Sequence, residues 1–336
     1  MNNAPILTIR NLEVVFRGGD RRDNRRIEAL RGLDLELRRG FVHALVGESG
    51  SGKSVTARSI LGLLPRDRAR VSAELVRYDG IDLLSQGEEG LREIRGSRIS
   101  MIFQEPGKHL NPALRIGAQI CEVIRVHLRM RRSEAYRRAE ALLALVGLVT
   151  KTGNARRILR SYPHELSGGM KQRAMIAMAL ACDPSLLIAD EPTTALDVTI
   201  QKQIIELIRN INSKLSMTVL FISHDLSVVH EIADVVSVIY AGKIVEGGTN
   251  DRIFSDPAHP YTRLLLASVP DPARRGTRLE AIPGTVPDAE RTPAGCAFHP
   301  RCPIAVHECQ KTVPRMRRVD DEDHTAACLM IDEDRR

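Results

Sequence analysis

The chain has 336 residues, of which 43% are apolar and 27% charged, and it carries a net charge of +7. Aromatic residues make up 3% and tryptophan is absent, which argues against a base-stacking nucleic-acid surface, while the basic balance suits phosphate ligands or anionic surfaces. No window nears 18 uninterrupted apolar residues, and the opening "MNNAPILTIRNLEVVF" lacks the basic start and apolar core of a signal peptide. The expectation is a cytoplasmic protein whose thiols stay reduced.

In chain order, the first strand is expected to end near Phe16, and the basic stretch "RGGDRRDNRR" (Arg17 to Arg26) reads as a solvated hairpin loop. The apolar run "FVHALV" reads as a buried strand ending on Leu45 and Val46, and helical spacing begins at Ser54. Between them, Gly47, Glu48, Ser49, Gly50, Ser51, Gly52, Lys53 and Ser54 match the phosphate-loop pattern G-x-x-x-x-G-K-[ST]. Its glycines let several backbone N–H groups converge on one anion, and the following helix adds its positive end. Lys53 is placed to reach the β- and γ-phosphates of a nucleotide, and Ser54 to bind Mg²⁺.

Further along, "RSEAYRRAEALLALVGL" has the spacing of an amphipathic helix beginning at Ser133. In "LSGGMKQR", Ser167, Gly168 and Gly169 precede another helix. They offer a hydroxyl and N–H groups to an anion, or Ser167 simply caps its own helix. In "SLLIADEPTTALD", Leu186 to Ala189 form an apolar strand ending on Asp190 and Glu191. Acids at a strand's carboxyl end fall where parallel α/β sheets bind ligands. Asp190 is expected to hold Mg²⁺ through water, and Glu191 to act as general base on the attacking water.

With the order and spacing of these segments in view, residues 6 to 250 resemble the ATP-binding cassette (ABC) ATPases, whose signature is LSGGQ. The resemblance implies an α/β P-loop NTPase with a RecA-like core, an N-terminal antiparallel β subdomain and an α-helical subdomain at about 110–170. It implies that Ser167, Gly168 and Gly169 face the nucleotide of a partner cassette. Gln104 in "MIFQEP" corresponds to the glutamine that senses Mg²⁺ and the γ-phosphate, Asp197 in "TALD" to the loop along the dimer seam, and His224 in "VLFISHD" to the switch histidine. Phe16 is the candidate to stack on adenine, with an apolar core role nearly as good. Met170 departs from the signature's usual glutamine. The Arg-rich stretch from Arg125 to Arg138 reads as a solvated or membrane-facing surface rather than a nucleic-acid stripe.

Residues 1–250 are thus expected to be the cassette and 251–336 a small extension containing cysteines. "HPYTRLLL", "IPGTVPD" and "GCAFHPRCPIAVHEC" resemble the C-terminal extension of ATPase subunits from oligopeptide, dipeptide and nickel importers, and "GESGSGKSV" resembles their D-type subunit. The resemblance implies ATP hydrolysis that drives peptide uptake, with nickel or another small solute as alternative cargo. It also implies an F-type ATPase partner in a heterodimer, two transmembrane permease subunits, an extracytoplasmic solute-binding protein, and a peripheral place on the cytoplasmic face of the membrane. Nucleic acid is not an expected partner, although a soluble ABC ATPase acting on the ribosome or DNA is the distant alternative. Cys296, Cys302, Cys309 and Cys328 have gaps of five, six and eighteen residues. That spacing is too loose for usual zinc pairs and favours a [4Fe–4S] cluster, as some members of the importer family carry, over zinc or buried thiols. The role expected of this tail is structural or redox-regulatory, apart from the ATPase chemistry.

Overall fold

The computed structural model describes residues 4–18, 25–149, 152–194, 196–269, 282–320 and 323–331. Its first elements are β1 (Leu7–Arg17), β2 (Arg26–Leu37), β3 (Val42–Val46), α1 (Lys53–Ile60), β4 (Ala69–Ser72), β5 (Leu75–Tyr78) and β6 (Ile81–Asp82). Next come α2 (Glu88–Ile94), β7 (Ile99–Ile102), α3 (Pro106–His109), α4 (Ile116–Leu128), α5 (Arg132–Leu145), α6 (Thr152–Arg160), α7 (Gly168–Ala179) and β8 (Leu186–Asp190). Then follow α8 (Val198–Leu215), β9 (Thr218–Ser223), α9 (Leu226–Ile232), β10 (Val235–Tyr240) and β11 (Lys243–Thr249). The tail adds α10 (Asn250–Ser255), α11 (Pro260–Ala267), β12 (Arg317–Arg318) and β13 (Thr325–Ala326). Among the described residues no helix is long and apolar enough to cross a membrane.

The chain divides into two compact units. One comprises Met1–Arg38, His43–Leu84 and Ser223–Arg336, and the other Arg39–Val42 and Ser85–Ile222. The first unit contains an antiparallel sheet of order β2-β1-β5-β6, with β4 also paired to β1. Along β1, Leu7, Ile9, Leu12 and Val14 are buried. The strict alternation breaks between Ile9 and Leu12, where the register shifts and Asn11 takes a φ of 51°. One extra residue in a strand flips the faces of everything after it, so this bulge keeps both halves of β1 pointing apolar side chains inward. The hairpin expected at Arg17 to Arg26 is present, closed by the Arg17–Arg26 pair. Residues 19–24 of that basic loop lie outside the described residues.

A second sheet in the same unit runs β12-β13-β11-β10-β3. Here β3 and β10 are parallel and the other pairs antiparallel. All five residues of β3 are buried, the pattern of a strand covered on both faces. The C-terminal region therefore enters the unit that holds the phosphate loop, through β13 pairing with β11. A small apolar cluster of Ala258, Ala326 and Ile331, with Val319 and Cys328 against it, gives this region its own core.

The second unit is built on the parallel strands β7, β8 and β9, whose residues are all buried. In α8, Ile204, Ile205, Ile208 and Ile211 are buried, the three-and-four spacing of one helix face. Each such isoleucine contributes about 1.5–3 kcal/mol on burial. Helices α4, α5, α6 and α7 pack on one another, using Ile116, Ile120 and Ile124 of α4 and Ala135, Ala139, Leu142 and Leu143 of α5. The helix expected from Ser133 starts one residue earlier, because Glu134 accepts the N–H of Arg131 at 2.8 Å and sets the first turn there.

Candidate functional site

The phosphate loop lies where its sequence places it, between β3 and α1. Two of its glycines are required by space. A Cβ on Gly47 would stand 2.2 Å from the Ile239 carbonyl oxygen, and one on Gly52 2.7 Å from Leu30 Cδ2. Gly52 also holds φ at 107°, a left-handed conformation that side chains avoid. The loop is stitched internally by Ser51 N–H to the Glu48 carbonyl at 3.2 Å, and to β-sheet neighbours by Gly242 N–H to the Ser51 carbonyl at 2.9 Å. Lys53 is buried, and its ammonium donates to the carbonyls of Gly47 at 2.8 Å and Glu48 at 3.0 Å. Ser51 Oγ is fully buried with no hydrogen-bond partner among the described residues. A buried orphan hydroxyl inside a glycine cradle suits an incoming phosphate oxygen. Ser54 follows Lys53 in the first turn of α1, half-buried.

Phe16 is half-buried in β1, opposite Ile27 and Ala69. His224 follows β9 and is exposed.

In the second unit, Asp190 ends β8 at 2% exposure. Glu191 comes next with a φ of 48°, a strained value for a residue with a side chain, of the kind found at functional positions. Its N–H donates to the Ile222 carbonyl at 2.9 Å. Its carboxylate accepts from Gln104 Nε2 at 2.8 Å and from Thr194 Oγ1 at 3.0 Å. Two residues singled out separately in the sequence are thus in direct contact. Ser167 caps α7, its Oγ accepting the Met170 N–H at 3.3 Å, and Asp197 caps α8 by accepting from Ile200 N–H at 3.0 Å. A Cβ on Gly169 would fall 2.9 Å from Ile200 Cγ2. The signature turn and the start of α8 therefore lie side by side, and only a hydrogen fits between them. Ala195 of the "TALD" segment lies outside the described residues.

The tail holds residues that sequence reading passed over. Glu246, wholly buried in β11, accepts from the N–H groups of Ala258 at 2.6 Å and His259 at 3.1 Å, and sits 2.8 Å from His324 Nε2. Burial alone would raise its pKa, but the His324 contact and the backbone donors outweigh it and hold the carboxyl below its ordinary value. His259 then caps α11, with Nδ1 accepting the Tyr261 N–H at 3.0 Å. Tyr240, Tyr261 and Phe298 are fully buried and form an aromatic cluster with ring centroids 4.7 to 5.3 Å apart. Arg301, 4% exposed at its side chain, grips Glu48 of the phosphate loop with both terminal nitrogens, at 2.8 and 3.0 Å. The HPY stretch and the Arg301 position were visible as motif letters, but their contact with the loop was not.

The iron–sulfur expectation is corrected by the structure. Cys296, Cys302, Cys309 and Cys328 do line one cavity, yet its volume is about 10 Å³, the room of a single water. Among the described residues no group of three or more His, Cys, Asp or Glu side chains is placed to hold a metal ion, which sets aside zinc as well. Burial pushes the Cys302 thiol up to about 11 and raises Cys296 in the metal-free protein. All six cysteines are free of disulfides. Loose spacing identified neighbours correctly and their chemistry wrongly.

A glycine turn between a buried strand and a helix, with an acidic pair closing a second buried strand, defines an ATPase of the ATP-binding-cassette fold. Comparison with known proteins agrees. The family described as ABC transporter matches residues 30–194, and the Oligopeptide/dipeptide transporter, C-terminal region, matches residues 245–309. A probable peptide ABC transporter ATP-binding protein of Sinorhizobium fredii is 46% identical over 98% of this chain and 96% of its own length. The oligopeptide transport ATP-binding protein AppD of Bacillus subtilis is 45% identical, with 98% of each chain covered. Among solved structures, the ATP-binding cassette MJ0796, in a dimeric post-hydrolysis state bound to ADP and Pi, superposes with a TM-score of 0.63 at 26% identity. That match covers 73% of this chain and 98% of the cassette. The chain belongs to the family of peptide ABC transporter ATP-binding proteins.

Proposed function

We propose that the chain is the ATP-hydrolysing subunit of an importer for di- and oligopeptides. The observation that carries this reading is the union, in one chain, of a phosphate loop and a C-terminal region of the oligopeptide/dipeptide transporter type. In this reading residues 1–250 are the cassette and 251–336 the transporter-specific extension.

Residues Gly47 to Ser54 cradle the triphosphate, and Lys53 turns from the loop carbonyls to the β- and γ-phosphates. Ser54, Asp190 and Gln104 would hold Mg²⁺, which when bound neutralises charge building on the phosphate oxygens. Glu191 takes a proton from water as its oxygen attacks the γ-phosphorus, and the bond to the ADP oxygen breaks. His224 contacts the γ-phosphate and Phe16 stacks on adenine. Ser167, Gly168 and Gly169 serve the nucleotide of a partner ATPase subunit of the F type, and Asp197 lies along that seam. The burial of Ser51 Oγ without a partner supports the cradle assignment. Two permease subunits and an extracytoplasmic solute-binding protein complete the assembly, which places this chain peripherally at the cytoplasmic face of the membrane.

Uptake of radiolabelled dipeptide and oligopeptide in a strain lacking this chain tests the reading. Uptake should be lost, return with the wild-type chain, and fail to return with Glu191→Gln. Undiminished peptide uptake overturns it, and a selective loss of nickel uptake would assign the other cargo.

A further inference from the structure

The tail reaches the phosphate loop through one residue. Glu48 is the second position of the loop, and three sides of it are engaged. Its carboxylate receives a two-pronged hydrogen bond from Arg301, at 2.8 and 3.0 Å. Its N–H donates to the Tyr261 hydroxyl at 2.9 Å. Its carbonyl accepts from Lys53 Nζ at 3.0 Å. The first two partners belong to the C-terminal region, and the third is the lysine that meets phosphate.

Arg301 is itself fixed. Its Nε donates to the Pro283 carbonyl at 2.8 Å, and Nη1 also reaches the Tyr240 hydroxyl at 3.3 Å. Its charge is nearly sealed from water, so Glu48 serves as its counter-ion, and the planar fork defines the direction of the Glu48 side chain. Tyr261 is held by the aromatic cluster with Tyr240 and Phe298. The three tail motifs "HPYTRLLL", "IPGTVPD" and "GCAFHPRCP" each supply one part of this clamp: Tyr261, the Pro283 carbonyl and Arg301.

We infer that Arg301 and Tyr261 are positioning residues for ATP binding: the C-terminal region holds Glu48, and through Glu48 the phosphate loop on which Lys53 rests before it turns to the phosphates, in the shape that accepts a triphosphate. A tail serving only as a cover would need neither a two-pronged ion pair nor a bond to the loop's own backbone. The tail therefore acts on nucleotide affinity, against the expectation that it stands apart from ATPase chemistry. This rests on reading Gly47 to Ser54 as the nucleotide cradle.

The test is the affinity of the purified full-length chain for Mg-ATP, measured by calorimetry beside the thermal melting of each variant. Arg301→Met and Glu48→Gln should each weaken ATP binding about tenfold, as expected for losing hydrogen bonds to a charged group. The double variant should be no weaker than the poorer single one, since both changes cut the same link. Arg301→Lys should recover part of the loss. Tyr261→Phe, a milder change, should also weaken ATP and covers the case in which Arg301→Met does not fold. ATP affinity within about twofold of wild type in folded Arg301→Met or Tyr261→Phe, or losses that multiply in the double variant, overturns the inference. Lys53→Ala separates the two readings. If it loses ATP while the clamp variants do not, only the clamp fails; if it too binds normally, the cradle itself is misassigned.

Discussion

Gln104 Nε2 donates to Glu191 Oε2 at 2.8 Å, joining residues 87 positions apart. With Thr194 Oγ1 bonded to the same carboxylate, the acid has a fixed orientation before any water arrives. Glu191→Gln preserves the shape and removes the ability to take a proton. Steady-state hydrolysis by the variant should fall by roughly 10²-fold or more, while ATP binding measured on the same protein persists. Near-normal turnover would assign the base elsewhere.

Gly52→Ala tests the loop's need for open space. The added methyl would meet Leu30 Cδ2 at 2.7 Å and the Ala29 carbonyl at 2.9 Å, at a φ of 107°. The conformational term alone costs about 1–2 kcal/mol, and relief of the contact must displace the loop. Both a lower melting temperature and weaker ATP binding are expected. A variant that melts earlier yet binds ATP normally would show that the loop tolerates the shift.

Acid should destabilise the unit that contains the tail. Burial depresses His43 and His259 from 6.5 to about 4. Both rings are therefore neutral in the folded chain at pH values where the unfolded chain has begun to protonate them. Between pH 6.5 and 4 the unfolded state binds more protons, so stability rises with pH across that window and falls on acidification. Each shift of this size corresponds to roughly 3 kcal/mol. Glu246, whose folded value is lowered, acts in the same direction just below, losing its contribution as pH falls through its depressed value. Thermal melts from pH 7 to 4 should show a steady drop, reduced in His43→Gln.

Phe298 links the tail to the aromatic cluster at 1% exposure. Its ring lies 5.1 Å from Tyr240 and 5.3 Å from Tyr261. Phe298→Ala should cost about 3–5 kcal/mol, seen as a lower midpoint in urea. An unchanged midpoint would mean the cluster is not a packing centre.

Much of this was legible in the residues because it is local. The stretch from "FVHALV" to "GKSV" contains its own strand, turn and helix, and the acidic end of β8 follows from four apolar residues before it. What the sequence concealed depends on long separations. Arg301 meets Glu48 across 253 positions, and no pattern in either segment names the other. The left-handed backbone at Glu191 was equally hidden, since glutamate has no preference that announces it. The cysteines erred in a different way. Their spacing brought four thiols to one cavity, but spacing does not reveal how much room is left between them.

The buried Glu246 has a consequence for how the polypeptide folds as it is made. Its imidazole partner, His324, is made 78 residues after it. Until then the acid has its backbone donors and no ring, and β11 lacks the strand that pairs with Glu246 and Gly247. His324 and β13 thus act as a late latch: a nascent chain stalled or clipped short of position 324 leaves a buried carboxylate without its ring partner and an open sheet edge, ready to pair with another chain.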